Sequence, residues 1–207
     1  MPILSEEEIA ELLQPYLAVP SDLLPRLVKY LDLLLRWNAR TNLTAIREPE
    51  EIVRRHFGES LFAASHLGPE VPALLDLGSG AGFPGIPIAL LRPGIAVTLA
   101  ESQNKKATFL REVARALSLN NVEVWAGRTE AMPSERRFDT VALRAVDRME
   151  AALTEAERRA ERQLLVLTSG LAMPELPAFP DQSRFPVPES EGRVLLIAGR
   201  RNETTVS

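Results

Sequence analysis

Cysteine is absent from this sequence, which excludes disulfides, cysteine-ligated zinc and any thiol nucleophile. Histidine is scarce: His56 and His66 stand alone, and neither has companions at metal-ligand spacing, so no metal is expected. Long apolar runs are also missing. No segment reaches the length a membrane helix needs, and the opening "MPILSEEEIAELL" lacks the basic and apolar regions of a secretion signal. The expectation is a cytoplasmic protein with no membrane partner. Nor is positive charge in excess. A net charge of -4 and a pI near 5.4 argue against a generally basic nucleic-acid binder, although a single positive face stays open.

What is present reads as an ordinary globular chain: 207 residues, 45% apolar and 25% charged. That length suits one domain with an appended subdomain, here a helical part over residues 1–70 and an α/β domain over 71–207. In the helical part, Ser5 and Glu8 form a capping-box pattern, followed by Ile9, Leu12, Leu13, Tyr16 and Leu17 at helical spacing. Ser21 is the expected cap of a second helix, with Leu24, Leu27, Val28, Leu31, Leu34 and Leu35 as its buried stripe. A third helix is expected from Pro49 through Ala64. Trp37 falls outside the second stripe and is expected to anchor the helical part to the sheet domain rather than to stack on a base.

From Ala73 the pattern changes. "ALLDLG", "IAVTLAE", "VEVW", "DTVALRA", "QLLVLTS" and "GRVLLIAG" are short runs, most of them apolar without alternation, as in a sheet covered on both faces. Amphipathic segments at Asn104–Ser118 and Met149–Glu161 lie between some of them. Strand and helix in alternation predict a doubly wound α/β sheet. The proline-rich stretch from Met173 is expected to be a loop, or an edge strand around Ser183–Val187.

The first βα turn carries the densest signal. Asp76 sits near the strand's end, and Gly78, Gly80 and Gly82 follow, leaving backbone where side chains would block a ligand. Pro84 suits the first turn of the next helix. Gly80, Gly82 and Gly85 also satisfy the dinucleotide fingerprint, a weak match by itself. A pyrophosphate wants free N–H groups at the helix start, yet Pro84 and Pro87 remove two and Asp76 adds a negative charge. S-adenosylmethionine carries an ammonium and a sulfonium and no phosphate, so the acid and glycine pattern suits it better. Glu101 ends the second strand, where a carboxylate can accept from both ribose hydroxyls, and Thr129 with Glu130 follows the third, where adenine commonly lies. Taken singly, Glu101 and Glu130 also read as solvated loop acids. Ser79 and Ser102, beside these groups, complete the candidate cofactor contacts.

"LLDLGSGAGFPGIPIALLRP", "ESQNKKATFLREV", "GRTEAM" and "FDTVALRAV", with "LLRWNARTNLTAIREPEEIVRRHFGES" before them, resemble the RsmG (GidB) family of bacterial methyltransferases in order and spacing. The resemblance runs from about Leu34 to Thr168. It implies a Rossmann-like class I S-adenosylmethionine-dependent methyltransferase fold with an N-terminal helical extension. It also implies methyl transfer to N7 of a guanine in the 530 loop of 16S ribosomal RNA, with that RNA or the small subunit as partner. By the same resemblance Gly78 and Phe83 line the cofactor pocket, Thr129 and Glu130 contact the adenosyl part, and Arg144 reaches toward cofactor or substrate. The chain departs from the family pattern twice. Glu59 stands where an aspartate is usual, and "LTSG" (Thr168, Ser169, Gly170) lacks a lysine before the glycine.

The acceptor chemistry is consistent with what the chain omits. The place of an N-P-P-Y-like amine-methylation motif reads "LRAVD", and no cysteine is available for pyrimidine C5 chemistry. An unprotonated ring nitrogen or an oxygen remains. Guanine N7 has no proton to lose, so transfer needs positioning more than a base, and near-attack geometry can supply on the order of 7–11 kcal/mol. Arg144 is the positioning candidate, holding O6, a phosphate or the methionine carboxylate; otherwise it is a solvated strand-end arginine. For RNA phosphates the candidates are Arg54, Arg55 and His56 on the third helix and Lys105 and Lys106 after the second strand. Glu50 and Glu51 are placed to pair with Arg54 and Arg55 at i,i+4, the plainer use of those arginines. A small-molecule methyltransferase of the same fold and a nicotinamide oxidoreductase are the alternatives. Arg36, Arg40, Arg47, Arg54 and Arg55 favour RNA.

Overall fold

The computed structural model describes residues 3–144, 149–169 and 175–200. Helices α1 (Glu6–Leu13) and α2 (Leu24–Asn38) open the chain. The Ser5 hydroxyl accepts from Glu8 N–H, and the Glu8 carboxylate accepts from Ser5 N–H, so the capping box closes α1. Ser21 does not cap α2. A turn intervenes, with Leu24 N–H donating to the Ser21 carbonyl, and Pro25 sits in the first turn, where its missing N–H costs little.

The third helical segment is broken in phase. It runs as α3 (Pro49–Ile52), a π-turn over Val53–Gly58, and α4 (Glu59–Ser65). Gly58 lies against Tyr16, where an added Cβ would stand 2.6 Å from the ring. A side chain there would displace the Tyr16 ring, which follows α1 and packs on this turn. The wider π geometry shifts the helical phase, and such turns recur at functional sites. Here it leaves the Arg55 carbonyl accepting from Arg144 Nη2 at 2.8 Å.

The sheet follows: β1 (Ala73–Leu77), α5 (Gly85–Leu91), β2 (Ala96–Glu101), α6 (Asn104–Ala116), β3 (Val122–Ala126), a 3-10 turn at Thr129–Ala131, β4 (Phe138–Arg144), α7 (Met149–Arg159), β5 (Ala160–Thr168), β6 (Asp181–Pro186) and β7 (Val194–Gly199). The strand order is β3-β2-β1-β4-β5-β7-β6; β1 to β5 are parallel, and β7 runs antiparallel between β5 and β6. The six expected strands and the edge strand near Ser183 are all present. Residues 145–147 of "LRAVD", together with Gly170 and Met173, lie outside the described residues.

Alternation within buried strands splits the core between two faces. Leu74, Leu99, Ala142 and Leu165 pack with Leu34, Phe57 and Leu61 of the front helices. Leu75, Val141, Leu164 and Val166 face Leu153 and Ala156 of α7 on the other side. Side chains such as Leu34, Phe57 and Leu61, fully buried, contribute about 1.5–3 kcal/mol each. The front helices thus share one core with one face of the sheet. Trp37 takes part in the join, its ring tilted against Phe109 at 5.6 Å and its N–H donating to Glu112 Oε2 at 3.2 Å.

Candidate active site

The order reverses between β1 and β4, and the crevice at the carboxyl ends there is where such sheets bind ligands. The loop after β1 is held open from beneath. Gly78, Gly80 and Gly82 have φ of 74°, 58° and 94°, a region side chains rarely adopt. Gly78 and Ser79 N–H both donate to the Ala100 carbonyl, while the buried Ser79 hydroxyl donates to the Asp76 carbonyl. Asp76 lies under the loop, 1% exposed, and its Oδ2 accepts from Gly85 N–H at 3.0 Å. At Gly85 an added Cβ would stand 2.3 Å from Leu99 and 2.6 Å from Asp76 Oδ2. That glycine serves close helix–strand packing, whereas at Gly80 the nearest atom is 3.8 Å away, leaving open space above the loop.

A cleft of about 300 Å³ opens beside the loop, lined on one side by Gly78, Glu101 and Ser102 and on the other by Thr129, Glu130 and Glu155. Glu101 joins the two successive strand tips. Its Oε2 accepts from Gly80 N–H at 3.0 Å and its Oε1 from Gln103 N–H at 2.7 Å. Each oxygen keeps a further lone pair. Buried and held by backbone, Glu101 is therefore not a solvated loop acid. Glu130 is exposed at the cleft rim, and Thr129 is buried.

Arg159 fixes the far wall. Only 5% exposed, it donates Nε to Glu155 Oε1 at 2.7 Å, and its terminal nitrogens bond the carbonyls of Thr129, Met132, Pro133 and Arg136. Five donors meet five acceptors, so the guanidinium is fully used. One arginine on α7 thereby shapes the loop carrying Thr129 and Glu130. Sequence reasoning missed it: the Glu155–Arg159 spacing is visible, but the loop it grips is remote in the chain.

On the other side of the switch point, aromatic rings join the front helices to the glycine loop. Phe83 is buried, 5.3 Å from Tyr30, 5.6 Å from Phe57 and 4.8 Å from His56. The Tyr30 hydroxyl donates to the Ala81 carbonyl at 2.6 Å, latching the loop to α2. Asn38 accepts from Leu43 and Thr44 N–H, and the Thr44 hydroxyl meets His56 Nε2 at 2.7 Å. The W-N-x-x-x-N-L-T stretch is thus the scaffold that seats His56.

Charge on this side is concentrated on arginine. Burial, reinforced by Arg144, Arg55 and Arg193, pulls the His56 pKa down to about 2, so the ring is neutral and only 8% exposed. It adds aromatic surface rather than a phosphate grip. The Arg144 side chain is 8% exposed, not solvated, and pairs with the fully buried Glu59 at 3.2 Å; its guanidinium lies 5.9 Å from the Phe83 ring centre. Arg55 pairs with Glu51 and Glu59. Arg54 is exposed but lies in a groove lined by Glu8, Glu11, Glu50 and Glu189. Lys105 and Lys106 stand in the first turn of α6, without an ion pair among the described residues. Cations there oppose the helix dipole, an arrangement that an incoming anion would relieve. Among the described residues no acidic, histidine or cysteine cluster could hold a metal, and no helix is long and apolar enough to cross a membrane.

The similarities to known proteins are specific. A family model described as GidB, rRNA small subunit methyltransferase G, matches residues 23–182. A ribosomal RNA small subunit methyltransferase G of Nitrosomonas europaea is 43% identical over 136 residues, covering 66% of this chain and 63% of that protein. One from Xylella fastidiosa is 39% identical over 183 residues, covering 84% and 85%. The chain therefore matches somewhat less than two thirds of the first relative's length and most of the second's. In architecture it is similar to the M. jannaschii TYW2 structure in complex with AdoMet, with a TM-score of 0.56 at 17% identity over 69% of this chain and 75% of that one. That likeness supports the Rossmann-like fold.

Proposed function

This chain belongs to the GidB family of ribosomal RNA small subunit methyltransferases, and from that premise we propose that it methylates N7 of a guanine in the 530 loop of 16S ribosomal RNA with S-adenosylmethionine as donor. The observation that carries the cofactor reading is Glu101, anchored to Gly80 and Gln103 at the centre of the cleft with lone pairs left for ribose hydroxyls. The donor set fits the group: Glu101 and Ser102 suit the ribose, Thr129 and Glu130 the adenine, and Gly78 and Gly80 offer bare backbone. Asp76 places a buried carboxylate beneath the loop, its Oδ1 without a partner among the described residues, and Phe83 backs that loop from the acceptor side. When bound, S-adenosylmethionine supplies an electrophilic methyl on a sulfonium.

The chain's own part is to position and to exclude water. A histidine with a pKa near 2 cannot take a proton at neutral pH, and N7 has none to give. His56 and Phe83 instead form a stacked apolar wall, and Arg144 stands over Phe83 where an acceptor's O6 can be held while N7 stays free. Lys105, Lys106 and Arg55 meet phosphates at the rim. Mapping N7-methylguanine in small-subunit RNA from cells with and without the protein tests the reading. Loss of one mark in the 530 loop is the expected result. Unchanged RNA, with transfer to a small molecule in vitro, would replace it.

Arg159→Lys is expected to weaken S-adenosylhomocysteine binding about tenfold by calorimetry, with KM for RNA unchanged. The lysine keeps a charge beside Glu155 but loses the fork that spans four carbonyls. Equal affinity for both proteins would show that the loop holds its shape unaided.

A further inference from the structure

One buried carboxylate organises three arginines from three distant parts of the chain. Glu59, fully buried, lies 2.8 Å from Arg193 Nε, 3.2 Å from Arg144 Nη2 and 3.4 Å from Arg55 Nε. Glu51, at the exposed rim, offsets part of the Arg55 charge. His56 beside them is neutral. Positive charge therefore exceeds negative among the described residues of this nest, in a place where uncompensated charge is costly.

The geometry says more than the count. Arg55 and Arg193 both bring Nε within ion-pair distance of the same oxygen, Glu59 Oε1, without hydrogen-bond geometry among the described residues. Their terminal nitrogens are left forward: among the described residues those of Arg193 have no hydrogen-bond partner, and Arg55 Nη1 has only the loose 3.5 Å contact with Glu51. The Arg193 side chain is 18% exposed and that of Arg55 38%, so the pair opens to solvent while Arg144 and Glu59 stay behind it. Two guanidinium groups drawn to one carboxylate oxygen, with terminal donors to spare, offer what a tetrahedral oxyanion takes. The buried His56 Nδ1, also without a partner among the described residues, lies in the same neighbourhood.

We propose that Arg55 and Arg193, held by Glu59, form an oxyanion seat for a phosphate of the substrate RNA next to the methylated nucleotide. This rests on the RNA reading above. The nest lies where β4 ends and β7 begins, and none of its three arginines lines the ribose cleft, so we assign it to the acceptor strand and not to the cofactor. Glu59 lies behind it, with one oxygen 2.8 Å and 3.4 Å from the Nε atoms of Arg193 and Arg55 and the other paired with Arg144 at 3.2 Å.

Arg193→Gln and the charge-preserving Arg193→Lys test the seat, since Glu59 retains Arg144 and Arg55 in both. Binding of inorganic phosphate, followed by NMR of arginine side chains, is expected in the wild-type protein and lost in Arg193→Gln. With small subunits as substrate, KM is expected to rise about tenfold in Arg193→Gln and a few-fold in Arg193→Lys. The slope of log KM against log salt is expected to fall by about one, as for a lost phosphate contact, and S-adenosylhomocysteine affinity to stay constant. A loss of S-adenosylhomocysteine affinity instead would assign the nest to the methionine carboxylate and overturn the proposal. Unchanged KM and salt slope would overturn it too. Should the wild-type protein bind phosphate here yet methylate no RNA, the RNA reading fails while the oxyanion seat stands.

Discussion

Gly82→Ala is expected to lower the melting temperature by about 4–16 °C and to abolish measurable cofactor binding. Gly82 has a φ of 94°, and an added Cβ would stand 2.6 Å from both Ile86 Cγ1 and the Tyr30 hydroxyl. Positive-φ strain costs about 1 kcal/mol or more, and overpacking adds roughly 1–3 kcal/mol. At about 2–4 °C per kcal/mol for a chain of this size, the sum gives the stated range. Function falls with it because Tyr30 also donates to the Ala81 carbonyl, and a displaced ring releases the loop. Gly80→Ala separates the two effects. Its φ of 58° is strained, but its Cβ would meet only Gly78 O at 3.8 Å, so stability should fall by only about 1 kcal/mol. The new methyl would enter the open space above the loop that the proposed cofactor takes, and affinity should fall further than stability. Differential scanning calorimetry beside ligand titration reads both. Equal losses in the two variants would mean that the loop does not approach the cofactor closely at Gly80.

The sheet was legible because its code is local. Short apolar runs, most of them without alternation, bounded by glycine and proline, admit little but strands buried on both faces; the Ser183 region reads equally as loop or edge strand, and its antiparallel pairing with β7 was not legible. The glycine loop was legible for the same reason, since D-x-G-x-G-x-G states its own backbone requirement. What sequence could not show was which distant groups meet. Tyr30 stands outside the apolar stripe read for α2, yet it is buried and its hydroxyl crosses to Ala81. Glu59 reads as a substituted helix acid, yet it collects Arg55, Arg144 and Arg193. His56 reads as a surface cation beside Arg54 and Arg55, whereas the π-turn changes the helical phase and carries it inward against Phe83. A regular helix over 49–64 is the natural extrapolation from spacing. The irregular turn depends on what packs around it, with Gly58 under Tyr16 as one visible requirement.

Asp76→Asn is expected to raise stability above neutral pH while lowering cofactor affinity at least tenfold. Burial pushes the Asp76 carboxyl from about 3.8 up to about 7, against the opposing pulls of the Gly85 N–H, Ser79 and Arg144. Its Oδ1 has no partner among the described residues. Because the folded pKa is the higher one, the folded protein holds a proton that the unfolded chain releases between about pH 4 and 7. The stabilisation is complete below the unfolded pKa and is lost as pH rises through 7. A shift of this size corresponds to a few kcal/mol at most. Asparagine keeps the acceptor for Gly85 N–H and carries no charge, so its melting temperature should exceed that of wild type by several degrees at pH 8. The gap should close near pH 4. Affinity should move the other way, since an ionised Asp76 attracts the sulfonium and ammonium groups of the donor. Wild-type affinity should then rise with pH through 7, and the asparagine variant should lack that rise. A stability gap that stays flat from pH 4 to 8 would show that Asp76 keeps one protonation state throughout, and the loop's charge would have to be sought in Glu101.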